Sequence, residues 1–206
     1  KYLPKDIYKL INLKKLEIHC RKLKKLPKEL FDLINLERLD ISWCKKLKYI
    51  PKEIGNLINL ERLDISLCKK LKHIPKEIGD LVNLEKLNIE WCENLKYIPK
   101  EIGNLINLKK LYIKDCKNLK EVPKEISNLK QLKNITIACR DKIKIPDEVK
   151  KLIKYESFYI TINNVYSSKE LETELSDLIK NKNFEIEDDY IFEDSNILDY
   201  IKLVDI

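Results

Sequence analysis

The chain has 206 residues, 44% of them hydrophobic and 36% charged, with a formal net charge of +7. That length is enough to bury one continuous core, and no apolar run reaches the ~18 residues that would span a bilayer. No signal-like segment opens the chain; it begins in mid-phrase at Lys1-Tyr2-Leu3-Pro4, contains no Met, and is expected to be a fragment.

The net charge hides an asymmetry. From Val165 onward there are four Lys and twelve Asp or Glu, a net of −8, which leaves 37 basic and 22 acidic residues, a net of +15, before it. A basic body with an acidic end suits nucleic acid, an anionic surface or its own tail. Against that, Lys and Glu alternate closely through the body, as on a solvated surface.

Proline sets the organisation. The seven prolines, Pro4, Pro27, Pro51, Pro75, Pro99, Pro123 and Pro146, are spaced 23, 24, 24, 24, 24 and 23 residues apart, and nearly all open the same phrase, as in Ile50-Pro51-Lys52-Glu53-Ile54. A fixed period in this range means a solenoid, whose units bury their apolar faces only against their neighbours. The first repeat is one residue short between Ile18 and Cys20, and the sixth is short between Ile137 and Cys139. The four repeats from Leu36 to Leu129 are near-ideal, and a seventh survives only as Tyr155, Phe158 and Ile160.

Within the third unit, Leu63 and Ile65 alternate with polar neighbours, the period-2 pattern of a half-buried strand. Cys68 and Leu71 follow as inward positions of a turning segment, and Ile74-Pro75 ends it because proline has no donor for a further ladder bond. Pro75 to Ile78 suits the first turn of a short helix. Ile78, Leu81 and Leu84 then point back to the core.

The resulting pattern, L-x-x-L-x-I-x-x-C-x-x-L-x-x-I-P-x-x-I-G-x-L-x-x, resembles the leucine-rich repeat family from about Leu3 to Ile162, and within it the intracellular, Cys-containing type. Disease-resistance-type receptors and signalling scaffolds carry similar repeats. The resemblance implies an α/β solenoid, a horseshoe segment with a concave parallel β-sheet and short convex helices or 3-10 turns. Residues 1–162 form the solenoid in this reading, and residues 163–206 an acidic C-terminal cap of helix, strand and helix. Ser168 to Ile179 would be the first helix, Phe184 to Phe192 the strand and Asn196 to Leu203 the last helix. Capping an exposed solenoid end is its expected task, with an acidic arm at Glu185 to Asp194 as the alternative.

One strand per repeat puts like positions into columns ~4.8 Å apart. Cys20, Cys44, Cys68, Cys92, Cys116 and Cys139 are all the cysteines and fill one column. The resemblance implies a buried ladder whose side chains reach loop backbone groups. Metal ligands cluster at shorter spacings, and His19 and His73, the only histidines, have no matching partners for thiolate catalysis. Thiols left unpaired by disulfides argue for a reducing compartment, the cytoplasm with the nucleus as alternative.

Three columns face outward. The first reads Lys15, Arg38, Arg62, Lys86, Lys110 and Asn134, the second Glu17, Asp40, Asp64, Asn88, Tyr112 and Thr136, and the third His19, Ser42, Ser66, Glu90, Lys114 and Ala138. Adjacent basic and acidic rows are expected to neutralise each other in ion pairs worth ~0.2–1 kcal/mol each. The position before Cys reads Trp43, Leu67, Trp91 and Asp115, expected to form an apolar ridge at the rim or, alternatively, rings laid flat beside Lys45 or Lys69. Asn12, Asn35, Asn59, Asn83 and Asn107 should bond turn backbone, and Gly55, Gly79 and Gly103 should end the helical turn with a positive φ.

No P-loop, metal cluster or nucleophile–base pair is present, so no enzyme, cofactor or metal is expected. The leading expectation is a protein-binding scaffold that uses Trp43, Leu67, Trp91, Arg38, Asp40, Arg62, Asp64 and Tyr112, aromatics supplying affinity and charges orientation. Nucleic acid or an anionic surface on the basic flank is the alternative, opposed by Asp40 and Asp64 beside Arg38 and Arg62. A third reading makes the repeats the substrate reader of a larger enzyme or receptor. Self-association through an open N-terminal rung is a further expectation.

Overall fold

The computed structural model describes residue 3 and residues 5–138, 143–154 and 200–204. Six parallel strands, β1 (Lys15–His19), β2 (Arg38–Asp40), β3 (Arg62–Asp64), β4 (Lys86–Asn88), β5 (Lys110–Lys114) and β6 (Asn134–Ala138), lie side by side in chain order. The columns pair as the repeat requires: Lys15 with Arg38, Arg38 with Arg62, Arg62 with Lys86 and Lys86 with Lys110. This is the solenoid expected from the period, because each crossover returns the chain one rung along.

The crossover elements are 3-10 turns, and the apolar spacing explains why. Ile54, Leu57 and Leu60 recur every third residue, the repeat of a 3-10 turn rather than the 3.6 of an α-helix. Each closes a three-residue backbone bond: Ile54 N–H donates to the Pro51 carbonyl at 3.1 Å, Leu57 to Ile54 at 3.1 Å and Leu60 to Leu57 at 2.9 Å. All three side chains are fully buried. Pro51 stands just before the turn Lys52–Asn56 in an extended conformation, φ −57° and ψ 147°, so its carbonyl starts the turn while its missing N–H costs nothing. Among the described residues one α-turn occurs, Asp147–Lys150 (α1), after Pro146.

The core runs the length of the sheet beneath the strands. The inward columns, Leu63 and Ile65 in β3 for example, are buried with the cysteines and the turn residues in one cluster. Cys20, Cys44, Cys68, Cys92 and Cys116 are buried thiols, none in a disulfide. The thiols of Cys44, Cys68, Cys92 and Cys116 donate to the carbonyls of Ile18, Ile41, Ile65 and Ile89 in the preceding rungs at 3.1–3.3 Å. Burial pushes the Cys68 and Cys92 thiols well above their ordinary value, which makes them poor nucleophiles. The asparagine ladder is also present: Asn35, Asn59, Asn83 and Asn107 each donate to the carbonyl 24 or 25 residues earlier at 2.8–3.0 Å.

The glycine expectation is corrected. No glycine has a positive φ. Instead, a Cβ on Gly79 would stand 2.6 Å from the Glu101 carbonyl oxygen, and one on Gly103 would stand 2.7 Å from that of Glu125. These glycines let successive turns approach. Phe31, fully buried, fills the same position in the first repeat, so the close approach belongs to the glycine-bearing rungs.

Over the last described segment the chain departs from expectation. Tyr200–Val204 (β7) is a strand, not part of a helix over Asn196 to Leu203, and it pairs antiparallel with β1 at the first edge of the sheet. Cys139, the seventh repeat, the helix from Ser168, the strand from Phe184 and the arm Glu185 to Asp194 lie outside the described residues, as does the boundary at 162/163.

Candidate functional site: the outward face of the sheet

The outward columns of β1–β6 form one face. In β2 to β4 the strand stops after three residues because an Asp or Asn side chain turns the chain. Asp40 Oδ1 accepts the Ser42 N–H at 2.8 Å, Asp64 Oδ1 that of Ser66 at 2.9 Å, and Asn88 Oδ1 that of Glu90 at 3.0 Å. These are Asx turns. The residue that follows is left-handed, with φ 61° at Trp43, 57° at Leu67 and 58° at Trp91, and Asp115 takes the same conformation, φ 54°, in a rung that has Tyr112 in place of the Asp or Asn. Its N–H bonds the next rung, Trp43 to the Ser66 carbonyl at 3.0 Å and Leu67 to that of Glu90 at 2.8 Å. The first repeat, one residue shorter before its Cys, has no such residue, so the extra residue in the second to fifth repeats is the one that turns over.

Left-handed backbone costs a branched or aromatic L-residue roughly 1–2 kcal/mol. Leu67→Gly is therefore expected to be more stable than Leu67→Ala by about 1 kcal/mol, the reverse of the order in ordinary strands. Chemical denaturation of the two variants reads this directly, and Ala equal to or above Gly would remove the strain argument.

The rim residues do not form the expected exposed ridge. Trp43, Leu67 and Trp91 are half-buried and Asp115 is buried. The Lys45 ammonium lies 5.1 Å and the Arg21 guanidinium 5.7 Å from the Trp43 ring centroid, which is the alternative arrangement, with rings laid beside cations. Exposed aliphatic surface appears elsewhere: Ile11, Ile34, Ile58, Val82 and Ile106, 42–62% exposed, stand in one column. That column immediately precedes the asparagine ladder. Its signal was the recurring Ile-Asn-Leu phrase, read for its Asn and not for its Ile.

Nor do the rows of opposite charge pair as expected. Arg38, Arg62, Lys86 and Lys110 form no ion pair among the described residues, whose salt bridges include Lys14–Glu37 at 2.9 Å, Lys69–Glu93 at 2.8 Å and Lys109–Glu85. The acidic row is engaged differently. Asp40 faces His19, Nε2 to Oδ1 3.1 Å, and Asp64 Oδ2 accepts from Asn88 Nδ2 at 3.0 Å. The Asp40 carboxylate holds the His19 imidazole above its ordinary value. Burial opposes ionisation of Asp40, but the contacts with His19 and Ser42 outweigh it and bring the carboxyl below the usual range. Asp64 and Glu90 are raised, chiefly by burial.

Of the sequence-named residues, the face brings together Arg38, Asp40, Arg62 and Asp64, which with Lys86 line a shallow cleft of about 200 Å³. Tyr112 stands two strands along from β3 in the acidic column, with the Lys86 ammonium 5.3 Å from its ring centroid. Trp43, Leu67 and Trp91 stand apart, at the rim where the chain leaves the sheet. Among the described residues no group of three His, Cys, Asp or Glu is placed to hold a metal ion, and no helix is long and apolar enough to cross a membrane.

A family model described as leucine-rich repeat region matches residues 1–97. No curated protein matches the chain. Among solved structures, a leucine-rich repeat protein of Leptospira interrogans is similar at 27% identity and a TM-score of 0.43, over 80% of this chain and 52% of that one. The leucine-rich repeat domain of the type III effector XopL is 20% identical, with a TM-score of 0.42, over 71% and 73% of the two chains. The plant peptide hormone receptor RGFR1, solved in complex with RGF2, is 24% identical, with a TM-score of 0.39, over 78% and 33%. The chain spans about half the length of the Leptospira protein.

Proposed function

Because the chain belongs to the leucine-rich repeat family, by the match over residues 1–97 and the continuation of the same phrase to Pro146, we propose that it is a non-enzymatic scaffold binding a protein partner on the open, concave face of its sheet. The observation that carries this reading is a parallel sheet that the described residues cover on one side only. Parallel strands ordinarily have both faces packed. Here the inward columns are buried, while no element packs on the outward columns among the described residues. A rigid file of outward side chains, each set by its rung, is preorganised for contact and gives up little entropy on binding.

In this reading Tyr112, with Trp91 at the rim, supplies contact area, and Arg38, Asp40, Arg62 and Asp64 supply orientation. The buried thiols suit a reducing compartment.

The test is capture from source-cell lysate by wild type, a Trp91→Ala/Tyr112→Ala variant and an Ile34→Ser/Ile58→Ser variant, read by mass spectrometry. A protein held by wild type and by the Ile variant, but lost from the aromatic variant, supports the open face. Loss only from the Ile variant would move the site to the edge stripe. Trp43→Ala serves as a second rim variant, with melting curves separating lost binding from lost fold.

A further inference from the structure

We propose that the partner presents an acidic polypeptide segment, laid across the strands along the cation file Arg38, Arg62, Lys86 and Lys110. This rests on the open-face reading above and names the chemistry of its ligand. Direct pairing puts Arg38 beside Arg62, Arg62 beside Lys86, and Lys86 beside Lys110. At ~4.8 Å per strand, four like charges stand in a row ~14 Å long. Repulsion along such a row would be relieved by neighbouring carboxylates, as it is for Lys14 with Glu37 and Lys69 with Glu93. The acids of the neighbouring column are committed to other groups, Asp40 to His19 and the Ser42 amide and Asp64 to Ser66 and Asn88, while Glu90 of the third column is shared between Lys114 and Lys86. The four cations form no ion pair among the described residues.

The file is one side chain wide, and that width selects the occupant. Asp40 and Asp64 lie two residues along the same strands, so only ~7 Å separates the cations from a parallel acidic row. A nucleic-acid duplex, with phosphates on two strands, would press its second row against those carboxylates. A peptide segment presents a single file. Carboxylates repeated once per helical turn recur every ~5.4 Å, close to the strand spacing. The ring of Tyr112 beside Lys86 gives such a segment an apolar contact at one end.

The probe is a fluorescein-labelled 20-residue poly-L-glutamate, titrated with the full chain by fluorescence anisotropy at low salt. A labelled 20-residue oligothymidylate is run in parallel. Wild type is expected to bind the glutamate peptide, with affinity falling as salt rises. Arg38→Glu/Arg62→Glu should weaken it at least tenfold. Lys52→Glu/Lys76→Glu, the same charge change on the exposed turns, should change it less than threefold. Equal loss in both variants, or no binding by wild type, overturns the proposal. So does tighter, Arg38- and Arg62-dependent binding of the oligothymidylate, which would assign the file to nucleic acid. Failure here with capture still lost from the Trp91→Ala/Tyr112→Ala variant would leave the open face standing and remove only its acidic ligand.

Discussion

Leu87→Ala is expected to lower the stability of the chain by about 2–5 kcal/mol. Leu87 is fully buried in β4, paired on one side with Leu63 and on the other with Leu111. Truncation removes its apolar contacts and leaves a cavity that neighbouring rungs cannot close, because their own leucines are fixed by the same sheet spacing. A loss of that size is a large share of the ~5–15 kcal/mol that holds a domain together. In a solenoid the damage is also local, since each rung touches only its neighbours. Amide hydrogen exchange should therefore show protection falling first in β3 to β5. Ile106→Ala supplies the contrast: its side chain is 60% exposed, and a change within about 0.5 kcal/mol is expected. Similar urea midpoints for the two variants would contradict the core as described.

Gly79→Ala and Gly103→Ala are each expected to destabilise by about 1–3 kcal/mol. The sign is the informative part. With φ negative at every glycine, replacement by Ala would by itself stabilise by about 0.4–1 kcal/mol through the unfolded chain. Overlap with the next turn reverses this, because the obstacle at Gly79 is the Glu101 carbonyl and at Gly103 that of Glu125. Gly55→Ala should cost less, since its nearest obstacle is the end of the Asp80 side chain at 2.9 Å. Thermal melts of the three variants rank them, and a stabilised Gly79→Ala would show that the turns can separate freely.

Much of the site was legible in advance because the repeat converts sequence position into spatial column. The pairing of Arg38 with Arg62, and the place of Trp43 and Trp91 at the rim, follow from counting residues. What counting left out was the hydrogen bonding within a rung. Asp40 is expected to meet a cation of the neighbouring row, yet its Oδ1 takes the amide of Ser42, two residues on, and the two rows form no ion pair among the described residues. Trp43, just after that turn, is left-handed and half-buried. A one-residue difference between Ile18-His19-Cys20 and Ile41-Ser42-Trp43-Cys44 was visible, but its meaning was a backbone angle.

The sequence by itself determined the solenoid, the order and register of six strands, the inward leucines and the thiol column. Each is a consequence of a period, and a period survives any detail of packing. The tertiary structure alone decided three things. Close turns, and not backbone angle, account for the glycines at 79 and 103. The exposed aliphatic column lies with Ile11, Ile34, Ile58, Val82 and Ile106 rather than with the tryptophans. The first edge of the sheet pairs with Tyr200–Val204, a contact between residues far apart in the chain, which no local repeat encodes.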